Sequence, residues 1–121
     1  MTMRSLLVSV AIVLSLVLSV YADIAGKWTA EFDTQIGSQK YTYEFRVEGG
    51  KLTGTATGPQ GSVAIQEGKL SGDDVSFVEN MSYQGMDIRI EYTGKLAGDE
   101  LKLTRKVGEF ATEELLAKRV K

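Results

Sequence analysis

The chain has 121 residues, with 14 Lys and Arg against 16 Asp and Glu, no His and no Cys. The absence of His and Cys excludes a zinc site of the usual kind and every nucleophile built on a Ser-His or Cys-His pair. Acidic and basic residues are interspersed with no run of one sign, so nothing marks a surface for nucleic acid or anionic lipid.

Residues 1–22 read as an export signal. Arg4 supplies the positive start, Leu6 to Leu18 is apolar but for Ser9 and Ser15, and Val20-Tyr21-Ala22 fits cleavage after Ala22. A retained membrane anchor is the alternative, since Ser5 to Ala22 carries no charge. A spanning helix needs about 20 such residues. Residues 23–121 then form one domain, periplasmic or secreted, with no membrane association after cleavage. Without Cys it must be held by packing and by the sheet itself. A monomer is expected.

From residue 26 onward, apolar and polar residues alternate, as in an antiparallel sheet with one dry face and one wet face. Eight strands are expected, at 26–33, 39–48, 51–57, 62–70, 74–80, 85–96, 100–107 and 113–120. In the second, Tyr41, Tyr43, Phe45 and Val47 share one face and Thr42, Glu44, Arg46 and Glu48 the other. The fourth has no clean register, because Val63 and Ile65 are odd and Leu70 is even. A bulge near Glu67-Gly68 reconciles them. In the sixth, Met86, Ile88, Ile90 and Tyr92 alternate with Asp87, Arg89, Glu91 and Thr93; in the seventh, Leu101 and Leu103 alternate with Lys102 and Thr104. The eighth, from Glu113 to Val120, is rich in helix formers. As a strand it supplies the second neighbour that the first strand otherwise lacks.

Three turns share one grammar: Val47 to Leu52 (VEGGKL), Leu70 to Val75 (LSGDDV) and Leu96 to Leu101 (LAGDEL). Gly-Gly and Gly-Asp provide the positive φ of tight hairpins. The other links, Asp33 to Ser38, Gly58 to Gly61, Met81 to Gln84 and Gly108 to Thr112, read as longer loops. The expected fold is all-β: an eight-stranded antiparallel up-and-down barrel, preceded by the signal-peptide helix. An open sheet rolled into a sandwich is the alternative. In a meander alternate connections fall at opposite ends. Three matching turns then close one pole and four looser links form a rim, where small barrels hold ligands.

Gly26-Lys27-Trp28 on the first strand and Arg119 on the last resemble the signature of the calycins (lipocalins, fatty-acid-binding proteins and avidin-like barrels). In that family the Trp of the first strand packs under a C-terminal basic residue. Gly26, Trp28 and Arg119 are carried over on that likeness as structural residues. A wider likeness rests on Gly26-Lys27-Trp28, Gly49 to Gly54 (GGKLTG), Gly94 to Asp99 (GKLAGD) and Ala117 to Lys121 (AKRVK). This pattern resembles small exported bacterial barrel proteins, some found beside carbohydrate-active modules and named glycoside hydrolases. The resemblance implies export, a barrel and a hint of sugars.

Two charges follow the inward phase. Arg105 continues Leu101 and Leu103, and Glu79 continues Val75 and Phe77. Unpartnered charges there are expensive, so they are expected to pair or to orient a polar ligand, unless both strands end before them and the charges reach water. Phe32, Tyr41, Tyr43, Tyr83 and Phe110 lie on rim-proximal strand ends or loops; Phe32, Tyr41 and Tyr43 are expected to fill the core of a small barrel, and Tyr83 and Phe110 stand on loops. The candidate binding residues are Tyr41, Glu79, Tyr83, Arg105 and Phe110, for a small-molecule or carbohydrate ligand, without a cofactor, a metal or a catalytic residue. Two alternatives stand beside this non-catalytic binding module. One is a glycosidase using paired carboxylates among Glu44, Glu79, Glu91 and Glu113; the other is a structural or interaction protein of the envelope.

Overall fold

A computed structural model describes residues 24–121. The expected export signal at 1–22 lies outside the described residues. The elements are β1 (Gly26–Thr34), β2 (Gly37–Glu48), β3 (Lys51–Gly58), β4 (Gly61–Ala64), β5 (Gln66–Ser71), β6 (Asp74–Tyr83), β7 (Met86–Ala97), β8 (Glu100–Val107) and β9 (Ala111–Arg119). All pair antiparallel in a single sheet of order β4-β3-β2-β1-β9-β8-β7-β6-β5. The helix formers of the last segment yield to tertiary pairing: β9 runs in register with β8 from Glu100↔Lys118 to Val107↔Ala111 and meets β1 at Trp28↔Arg119.

Expectations of the sheet and of the rim are corrected. The described residues form nine strands, not eight, and the hydrogen-bonded ladder is open, with β4 and β5 as its edges. The cause lies in the expected fourth strand, whose two halves bury opposite parities. Val63 lies beside Ala56 of β3, whereas Leu70 pairs with Val75 of β6. The strand breaks at Ile65, which is buried, and the register then slips between Gln66 and Lys69 with Glu67 at φ 52°. That slip is the bulge the mixed parity calls for. Because one residue joins the two edge strands, the sheet must curl until its edges meet. The Ile65 amide donates to the Gly54 carbonyl at 3.0 Å, and β5 lies against β3. At Gly68 a Cβ would stand 1.9 Å from the Leu52 carbonyl oxygen, so this contact admits only glycine.

The second correction concerns the rim, which has no long loops. The strands run on until the links are Gln35-Ile36, Pro59-Gln60, Gln84-Gly85 and the three residues Gly108–Phe110. In the third of them Gln84 and Gly85 are left-handed, at φ 52° and 81°, the twist that two-residue hairpins demand. The two poles therefore differ in chemistry rather than in loop length. One carries Gly49-Gly50, Gly72-Asp73 and Gly98-Asp99; the other carries Ile36, Pro59, Gln84 and Phe110.

Inside the curl, Trp28, Tyr43, Phe77, Ile90, Tyr92, Leu101 and Leu103 are fully buried. Each such side chain contributes roughly 1.5–3 kcal/mol on leaving water. Tyr41, Tyr43 and Phe45 stack along β2 at 5.7 and 5.9 Å between centroids, and Phe77 stacks on Tyr92 at 4.4 Å. Trp28 donates its indole N–H to the Ile24 carbonyl at 3.0 Å. The Arg119 guanidinium lies 4.5 Å over the Trp28 ring, while its Nε reaches Asp99 at 3.0 Å. This cation–π contact contributes roughly 0.5–2 kcal/mol and fastens the β1–β9 seam at the glycine-turn pole.

Candidate functional site

The alternation that buries Leu101 and Leu103 carries Arg105 inward as the next residue of the same phase, and Val75 and Phe77 do the same for Glu79. Both strands continue past these positions, so the charges do not reach bulk water: Arg105 is 4% exposed and Glu79 3%. Hairpin register then supplies the partners. Arg105 stands opposite Tyr92 of β7 and opposite Glu113 of β9.

The guanidinium is divided among three acceptors. Nε donates to the Tyr92 hydroxyl at 2.8 Å, one terminal nitrogen to Glu113 Oε1 at 2.6 Å and the other to the Tyr41 hydroxyl at 3.0 Å. The second terminal nitrogen also lies 3.9 Å from Glu79 Oε1. Glu79 accepts from Tyr92 at 2.7 Å and from Tyr41 at 3.3 Å. Since the Tyr92 proton goes to Glu79, Tyr43, 2.9 Å away, donates to the Tyr92 oxygen. Faces of Phe32, Tyr41 and Tyr92 lie 5.3, 4.9 and 5.8 Å from the guanidinium carbon. Among the described residues no buried side-chain nitrogen or oxygen lacks a partner. Full satisfaction is what permits such charges inside a core, because an unpaired member would carry its whole desolvation cost.

Burial holds the tyrosines in their protonated, donating form. It pushes Tyr41 up to about 12 with help from the Glu79 carboxylate, and it raises Tyr43 and Tyr92 further. Arg105 loses hydration by burial, yet the surrounding tyrosine oxygens and Glu113 raise its pKa and keep it charged.

Directly above this network is a cavity of about 280 Å³. Its floor is Tyr41, Arg105 and Glu113; its walls are Met81, Ile88 and Val107; its mouth is ringed by Ile36, Pro59, Tyr83, Met86 and Phe110. All four rim turns contribute. Ile36, Met86 and Phe110 are 58%, 51% and 55% exposed, an apolar collar at one pole only. Gln35 ties two neighbouring rim turns together by donating to the Phe110 carbonyl at 3.1 Å.

The five sequence-derived binding residues therefore divide. Tyr41, Tyr83, Arg105 and Phe110 line one cavity, while Glu79 lies beneath the floor, held by Tyr41 and Tyr92. Tyr83 ends strand β6 instead of standing on a loop. Three participants fall outside that set: Tyr43 and Tyr92, read as core, and Glu113, read only as one of four carboxylates. Of those four, Glu44 and Glu91 are exposed on the outer face and Glu113 alone lines the cavity. Gly26, Trp28 and Arg119 gather at the opposite pole, where Arg119 donates to the Ala25 carbonyl at 3.1 Å. The chain matches no protein-family model, no curated protein and no solved structure.

Proposed function

We propose that this protein is an exported, non-catalytic binding module whose curled sheet acts as a barrel and takes a small ligand in through the rim. The observation that carries the reading is the cavity of about 280 Å³, apolar over most of its lining, with Tyr41, Arg105 and Glu113 at its base and the amides of Gln35, Gln39, Gln60 and Gln84 toward its mouth. A few convergent polar groups at the base of an apolar pocket are the usual build of a small-molecule site. The floor is rigid before any ligand arrives, since Tyr41 and Arg105 are each fixed by several hydrogen bonds, so little ordering cost falls on binding. Aliphatic side chains make up more of the wall than aromatic ones. With the glutamine amides toward the mouth, that lining suits an amphipathic molecule better than a purely apolar one.

A neutral apolar dye such as Nile red tests the reading. Wild-type protein should bind it with a blue-shifted emission, and Val107→Trp, which fills the wall, should weaken binding by about tenfold or more, the effect of a lost apolar contact of that size. No uptake by the wild type, or equal uptake by a folded Val107→Trp, contradicts a ligand cavity at this pole.

A further inference from the structure

The floor of the cavity has an unequal charge count. One guanidinium, Arg105, faces two carboxylates, Glu79 at 3.9 Å and Glu113 at 2.6 Å. Among the described residues, Arg105 and Glu113 are the charged side chains that line the space, with Glu79 beneath them. Arg105 resembles an anion receptor by position, but its fork is already occupied by Glu113 and by two tyrosine oxygens. An incoming anion would displace a charge-assisted bond and sit beside two negative groups in an apolar cavity, where such repulsion is poorly screened.

At the floor, the unused capacity is on the acceptor side. Glu113 gives Oε1 to Arg105, and among the described residues Oε2 accepts no hydrogen bond. Glu113 lines the cavity, and Oε2 is not among atoms buried without a partner, so this oxygen opens onto the ligand space. Both Tyr41 and Tyr92 spend their protons on Glu79. The ligand must therefore bring the proton. A carboxylate oxygen fixed by Arg105 at the base of an apolar tube is a receptor for a hydrogen-bond donor, and best for a cationic one.

Building on the ligand-binding reading, we infer that the site selects an amphipathic molecule carrying a protonated amine, whose ammonium group seats on Glu113 Oε2 while its hydrocarbon part lies against Ile88, Val107 and Met81. An alkyl amine of about eight carbons, at roughly 30 Å³ for each heavy atom with its hydrogens, is a probe of suitable size for this space.

Calorimetric titration of the protein with octylamine, octan-1-ol and octanoate at neutral pH separates the head groups at constant chain length. Octylamine is expected to bind at least about tenfold tighter than octanol, as a charge-assisted bond does over a neutral one, with octanoate weakest. Glu113→Gln should weaken the amine far more than the alcohol and so remove most of the difference between the two. The wild-type ranking stands even where that variant does not fold. Equal binding of all three, or tightest binding of octanoate, overturns the amine assignment and leaves the cavity reading intact. Failure of all three together with Nile red overturns the cavity reading itself.

Discussion

Arg105 is read by three neighbours on three strands, and each takes a different edge of its guanidinium: Tyr41 on β2, Tyr92 on β7 and Glu113 on β9. Arg105→Met keeps the volume but strands two carboxylates, so it should destabilise the fold by about 3–5 kcal/mol, measured as a lowered urea midpoint. A loss under about 1 kcal/mol would show that the network carries no structural weight. The tyrosines give a second, pH-dependent signature. Their folded pKa values lie above the ordinary 10.0, with Tyr41 at about 12 and Tyr43 and Tyr92 raised by burial. The stability they supply is complete below pH 10 and drains away as pH climbs through 10 toward and past 12, because the unfolded chain ionises first. Denaturant midpoints from neutral pH upward, with tyrosinate absorbance as a parallel readout, should show flat stability followed by a steep alkaline fall. At this scale the sequence reveals Arg105 and Glu79, because strict alternation carries both inward. Tyr92 is reachable by counting back from the tight Gly98-Asp99 turn. Glu113 is not, since the Gly108–Phe110 link admits more than one length and its strand has a helical composition.

Strand alternation locates eight hydrophobic segments but cannot show that one of them is shared between two edges. Val63 and Ile65 against Leu70 announce a break in phase, and the sequence places its bulge correctly at Glu67-Gly68. Whether the chain then continues the same ladder or crosses to another is decided by contacts distant in sequence, between Ile65 and Gly54 and between Gly68 and Leu52. The rim loops look long from their composition for a related reason: Gln84 has no turn signature, yet it adopts φ 52° because β6 and β7 pair up to Tyr83↔Met86. Gly68→Ala tests the junction. Its Cβ would overlap the Leu52 carbonyl and force β5 away from β3, so a loss of at least about 2 kcal/mol is expected in thermal or urea unfolding. Gly72→Ala, where a Cβ meets nothing within 4 Å, pays only the φ +60° strain and is the control for glycine loss without a clash. Equal effects of the two would remove the case for a close β3–β5 contact.

Over the whole molecule the poles have separate tasks. At one, Trp28 and Arg119 fasten the first strand to the last beneath three glycine turns. At the other, four short turns present Ile36, Met86 and Phe110 around a cavity that ends on Arg105 and Glu113. Backbone amide shifts of the isotope-labelled protein, followed during titration with octan-1-ol, test this division most directly because they ask where a ligand goes without presuming its head group. The account predicts shifts at Ile36, Met81, Ile88, Val107 and Phe110, with Gly49, Gly72 and Gly98 silent. Shifts centred on the glycine turns or scattered over the outer face would contradict it.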